Sequence, residues 1–162
     1  MADHDTLLRE FIESTISPEG DWLLNVPVGL ASERDGEILM GGTREIDALC
    51  LLSRSPNLPD EYKYQQAGVE IINSDRLHSQ SSYREMWERN PFAGERAALV
   101  EMKPETPTLK GIGQLTAYGV LAEEEWDITV DRLLMVSTGT DPVVERACTA
   151  LDIDVIQFHD NH

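Results

Sequence analysis

The chain has 162 residues, 30 acidic and 13 basic, for a formal net charge of -17. Its 41% apolar content suffices for one domain, which would bury about 68–70% of its unfolded surface, and no apolar run approaches membrane-spanning length. So large a carboxylate surplus repels polyphosphate in dilute salt, but at molar salt the Debye length is only about 3 Å, so charge does not exclude DNA. The acids are spread from Asp3 to Asp160, and Lys63, Lys103 and Lys110 are the only lysines. That pattern fits a halophilic protein kept hydrated in a saline cytoplasm. The amino terminus, MADHDTLLRE, has no basic and apolar signal segment, and Cys50 and Cys148 sit in apolar contexts. A soluble cytoplasmic protein with reduced core cysteines is expected.

In chain order, Asp5-Thr6 is an N-cap signal before a helix with Leu7, Leu8, Phe11, Ile12 and Ile16 on one face, ended by Ser17-Pro18-Glu19-Gly20. Trp22 to Leu30 is strand-like, with Pro27 marking an edge or a bulge. Arg34-Asp35-Gly36 is a turn, Glu37 to Met40 a short strand, and Arg44 to Leu52 a strong strand. Within 53–96, Val69 to Ile72 reads as a strand and Ser82 to Arg89 as a helix. Ala97 to Val100 leads into Glu101-Met102-Lys103, which Pro104 stops. A helix follows from Gly111 to Glu125, then a strand from Leu133 to Ser137. Asp141-Pro142 starts a helix to Leu151, and Val155 to Phe158 is the last strand. The expected fold class is α/β, with a mixed central sheet flanked by helices.

Chemistry gathers on three of these elements. Glu101 and Lys103 are two apart on a strand and so share a face. Asp47 is a carboxylate inside an apolar strand, costly unless a cation or hydrogen bonds compensate it. Two such carboxylates meeting across a sheet make an oxygen-rich site for Mg²⁺ or Mn²⁺, beside which Lys103 could hold a water or offset phosphoryl charge. Gln114 and Tyr118, at i and i+4, point the same way from the following helix.

In this order, Asp47, Glu101-x-Lys103 and Gln114-x-x-x-Tyr118 resemble the PD-(D/E)xK nuclease superfamily. The Gln-Tyr helix is similar to the RecB-type branch. Arg44-Glu45-Ile46-Asp47 and Gly113-Gln114-Leu115 resemble archaeal NucS-type domains. The resemblance implies a restriction-endonuclease-like αβββαβ core over residues 1–162, with an insertion at about 53–96 accounting for the 54 positions between Asp47 and Glu101. It implies Asp47 and Glu101 as metal ligands, Lys103 as the water-activating residue, Gln114 and Tyr118 as supports, and a first-helix acid, Glu13 or Glu10. The family's proline before Asp47 is absent, and no cysteine quartet is present for an iron–sulfur cluster.

The expected function is metal-dependent hydrolysis of phosphodiester bonds, with DNA as the partner and Arg44, Lys110 and Arg96 as phosphate contacts. A homodimer would supply two active sites for two strands. The alternative is a non-catalytic interaction or assembly protein retaining the fold, with the acids structural and Gln114 and Tyr118 an ordinary helical pair. His4, His78, His159 and His162 have no ligand spacing, and Trp22, Trp87 and Trp126 read as core or interface residues.

Overall fold

A computed structural model describes residues 3–28, 44–52, 63–66, 69–72 and 92–158. The elements in chain order are α1 (His4–Glu13), β1 (Asp21–Val28), β2 (Arg44–Leu51), β3 (Lys63–Gln66), β4 (Val69–Ile72), β5 (Arg96–Lys103), α2 (Leu109–Trp126), β6 (Thr129–Ser137), α3 (Pro142–Ala150) and β7 (Ile153–Gln157). Together they form an α/β structure around one mixed seven-stranded sheet, ordered β3-β4-β1-β2-β5-β6-β7. The β1/β2, β2/β5 and β3/β4 pairs are antiparallel. Those of β1/β4, β5/β6 and β6/β7 are parallel.

Each helix start has a side-chain cap. Asp3, two residues before the expected Asp5, accepts from the Thr6 N–H at 2.8 Å and starts α1. Thr108 accepts from the Gly111 N–H at 2.9 Å to start α2. Asp141 accepts from the Val143 and Val144 N–H groups, with Pro142 in the first turn of α3. These caps satisfy donors that the helix itself cannot. The α1 face is Leu7, Leu8, Phe11 and Ile12. Ile16, expected on it, lies past the Ser14 cap and is 48% exposed.

The helices divide two buried layers. Beneath α1, Phe11 packs edge-on against Phe158 at 5.7 Å, with Trp22, Cys50, Val100 and Met102. On the other face α2 and α3 cover Leu49, Leu99, Leu115, Trp126 and Cys148. Burying a large apolar side chain contributes about 1.5–3 kcal/mol, so these layers fix which way each strand faces. Cys50 and Cys148 form no disulfide among the described residues and belong to different layers.

One feature differs from the expected order. The 53–96 stretch contributes β3 and β4 to the central sheet itself, with Trp22↔Ile71 and Leu23↔Ile72 joining β4 to β1. Among the described residues β4 reaches β1 at those two positions and Pro27 pairs with Glu45 of β2, which suits a residue without an N–H. The turn at Arg34, the strand at 37–40, the helix at 82–89, Trp87, His78, His159 and His162 lie outside the described residues. No helix among the described residues is long and apolar enough to cross a membrane.

Candidate active site

The site forms where two strands part. β2 and β5 pair from Leu51↔Ala97 to Ala48↔Val100, and the pair that would follow in that register, Asp47 with Glu101, does not form. Instead the Met102 N–H donates to Asp47 Oδ2 at 2.8 Å, so a side-chain carboxylate takes the place of a ladder carbonyl. β5 runs on beside β6, from Glu101↔Met135 to Lys103↔Ser137. β5 is therefore antiparallel to one neighbour and parallel to the other. Its carboxyl end has the position where open α/β sheets bind ligands.

Strand alternation gives Glu101 and Lys103 the same side as Leu99, toward α2. Lys103 Nζ donates to Gln114 Oε1 at 3.0 Å and lies 3.2 Å from Glu101 Oε1. The ammonium is thus held between strand and helix, on a side chain that is 21% exposed. Tyr118 is buried one turn beyond Gln114. Burial raises its hydroxyl above the ordinary value, and the neighbouring Gln114 opposes that rise. Gly111 brings α2 close: a methyl there would stand 2.9 Å from the end of Met135 and 3.0 Å from Lys103 Cε. Both are flexible side-chain atoms that can yield. Gly111→Ala is therefore expected to leave the melting temperature within a few degrees while shifting Lys103 from Gln114, read from melting curves and from the NMR signal of the Lys103 side chain.

Glu101 is 5% exposed, and its Oε2 has no hydrogen-bond partner among the described residues. Burial first, and the Asp47 charge second, push its carboxyl up to about 7, against the opposing pull of Lys103. Asp47 is also met from the other face of the sheet. His4, in the first turn of α1, places Nε2 3.1 Å from Asp47 Oδ2 and Nδ1 3.0 Å from Asp5 Oδ1. The hydrogen bond to Asp47 raises the imidazole to about 9, with Asp5 adding and partial burial opposing. His4 is accordingly an imidazolium at neutral pH. Sequence spacing gave it no partner because Asp47 is 43 positions away.

The phosphate-contact candidates separate. Arg44 is exposed at the start of β2, near enough for its charge to act on Tyr118. Lys110 is exposed in the first turn of α2, one turn before Gln114 on the same stripe. Arg96 does not reach the site. It begins β5, seven residues or about 23 Å of strand from Lys103, and pairs with Asp131. Glu13 does not reach it either, since α1 presents its first turn to Asp47. Glu13 is the last residue of α1, about 14 Å along the axis from His4, beside a surface cavity lined by Ser14, Ile16 and Gln157. Glu10 is half-buried, with Oε2 lacking a hydrogen-bond partner among the described residues.

The two carboxylates fit a hard cation. Glu101 Oε2 is an unpaired buried oxygen within the field of a second carboxylate, and Mg²⁺ commonly uses one or two carboxylates with water and phosphate oxygens completing its shell. Among the described residues no group of three or more His, Cys, Asp or Glu side chains stands at metal-binding spacing. Among the described residues, a cation would therefore rest on the carboxylates of Asp47 and Glu101. Comparison with family models, with curated proteins and with solved structures finds no match to this chain.

Proposed function

We propose that this chain is a Mg²⁺- or Mn²⁺-dependent nuclease with a restriction-endonuclease-like core, hydrolysing phosphodiester bonds in DNA. The observation that supports this reading is Lys103 Nζ, held between Glu101 and Gln114 at the end of β5 where Asp47 closes the gap to β2. The motif order that resembles the PD-(D/E)xK superfamily thus falls on one strand opening and the helix that covers it. Asp47 and Glu101 would hold the cation, which supplies charge neutralisation at the phosphoryl group and acidifies water. Lys103 orients the attacking water and balances the charge that develops as the bond breaks. Gln114 fixes the ammonium through its carbonyl oxygen, and Tyr118 backs Gln114. Lys110 and Arg44 neutralise backbone phosphates on either side. Cutting both strands calls for a second copy or a partner protein.

A second reading, a non-catalytic assembly protein with this fold, draws on one observation: Asp47 Oδ2 is already engaged by Met102 and His4. Cleavage of linear, nicked and branched DNA at molar salt, with Mg²⁺ or Mn²⁺ and with chelator, decides between them. The nuclease requires metal-dependent cleavage that falls by about 10²–10⁴-fold in Lys103→Ala. Wild-type protein inactive on every substrate would favour the assembly reading.

A further inference from the structure

The sheet changes its facing at one residue pair. Along β1, Trp22 and Leu24 pack toward α1 and Leu23 toward α2, as a strand should alternate. Continuing that alternation would turn Val26 and Val28 toward α1, yet both pack in the α2-side layer. On β2, Ala48 and Cys50 face α1, and Ile46 should follow them, yet it also joins the α2 side. Both slips occur at the same place. The register runs Leu24↔Ala48 and then Val26↔Ile46, and the positions between them are Asn25 and Asp47.

Asn25 has a backbone φ of 53°. The described non-glycine residues in this left-handed region are Asn25, Asp127 and Asp152. Asp127 is the C-cap of α2, and Asp152 follows the C-cap of α3, both places where chains leaving a helix adopt that conformation. Asn25 is inside a strand, where nothing in ordinary pairing calls for it. Asparagine tolerates the conformation better than most side chains, and a β-branched residue tolerates it poorly.

We propose that Asn25 is a positioning residue whose left-handed backbone turns the β1–β2 ribbon so that Asp47 presents its carboxylate into the gap between β2 and β5. Without the turn, alternation would put Asp47 with Leu49 and Leu51 in the apolar layer under α2. With it, the carboxylate lies where the Met102 N–H reaches it from β5 and His4 from α1. That this aiming serves catalysis rests on the nuclease reading; the aiming itself does not.

Hydrogen exchange of the Met102 amide measures the aiming directly, since that N–H donates to Asp47 Oδ2. In Asn25→Gly, which adopts positive φ freely, its exchange is expected to stay within about threefold of wild type. In Asn25→Val it should quicken by about tenfold or more, while the Leu99 and Val100 amides stay unchanged. Should Asn25→Val not fold, Asn25→Ala, which also disfavours positive φ, takes its place. A valine or alanine variant with unchanged Met102 exchange would overturn the proposal. So would a glycine variant as fast as valine, because the side chain and not the backbone would then be responsible. Metal-dependent cleavage, assayed alongside, should follow the exchange rates. Exchange that responds as expected in a protein with no cleavage in any form would leave the positioning role standing and remove the nuclease reading.

Discussion

Glu101→Gln is expected to stabilise the metal-free protein at pH 8.5 while abolishing metal-dependent cleavage. The Glu101 carboxyl is pushed up to about 7 by burial and by Asp47, so the fold favours its protonated form. Between its ordinary value of 4.5 and about 7, native Glu101 keeps a proton that the unfolded chain has released. Stability therefore falls as pH rises through that window. His4 continues the trend. Its proton, held to about 9 against an ordinary 6.5, contributes stability fully present below 6.5 and lost as pH rises toward 9. A neutral amide at 101 removes the first of these losses. The carboxyl shift corresponds to an effect on the order of 3 kcal/mol, so the variant should melt on the order of 10 °C higher at pH 8.5 and near wild type at pH 5. Melting curves across that range at fixed salt check it. A variant that tracks wild type at every pH would contradict the buried, proton-holding environment of Glu101.

Asp47→Ala should move stability the other way. The aspartate occupies a backbone position in the sheet: it accepts from the Met102 N–H and faces the His4 imidazolium. Alanine leaves the Met102 donor without its acceptor and His4 with Asp5 alone, at a cost of about 1–3 kcal/mol. The His4 imidazole should titrate much closer to its ordinary value, which NMR titration reads directly. Cleavage should fall by at least about 100-fold, because one of the two proposed metal carboxylates is gone. Asp47→Asn separates the two roles. It keeps an acceptor for Met102 and so retains most of the stability, but loses the charge needed for the cation. If Asp47→Asn cleaves like wild type, Asp47 is structural and the metal reading fails.

Much of this arrangement was legible from local pattern. The apolar run Ala97 to Val100, ended by Pro104, announced a strand, and period-two alternation placed Glu101 and Lys103 together. The i, i+4 spacing of Gln114 and Tyr118 did the same on α2. What escaped depended on direction and distance. Arg96 and Lys103 begin and end the same strand, so a site at one end excludes the other. Glu13 required knowing which end of α1 meets the sheet, and no spacing within the helix carries that. His4 finds its carboxylate far along the chain, and the left-handed backbone of Asn25 inside an otherwise apolar strand has no pattern in the residues around it. The strand at Lys63–Gln66 escaped because its residues, KYQQ, do not alternate.

The way β2 and β5 are tied has an evolutionary consequence. Leu51 pairs with Ala97, and the Leu52 N–H donates to the Arg96 carbonyl at 2.8 Å, so the chain leaves β2 and enters β5 at the end remote from Glu101 and Lys103. The long interval of sequence between the two acids, β3 and β4 included, is therefore joined to β2 and β5 at their ends remote from the site. Length there can drift over generations with the front ends of both strands still in register. One residue gained or lost between Val100 and Glu101, by contrast, exchanges the faces of the carboxylate and the ammonium at once. Drift in such a lineage would accumulate in the first interval and be purged from the second.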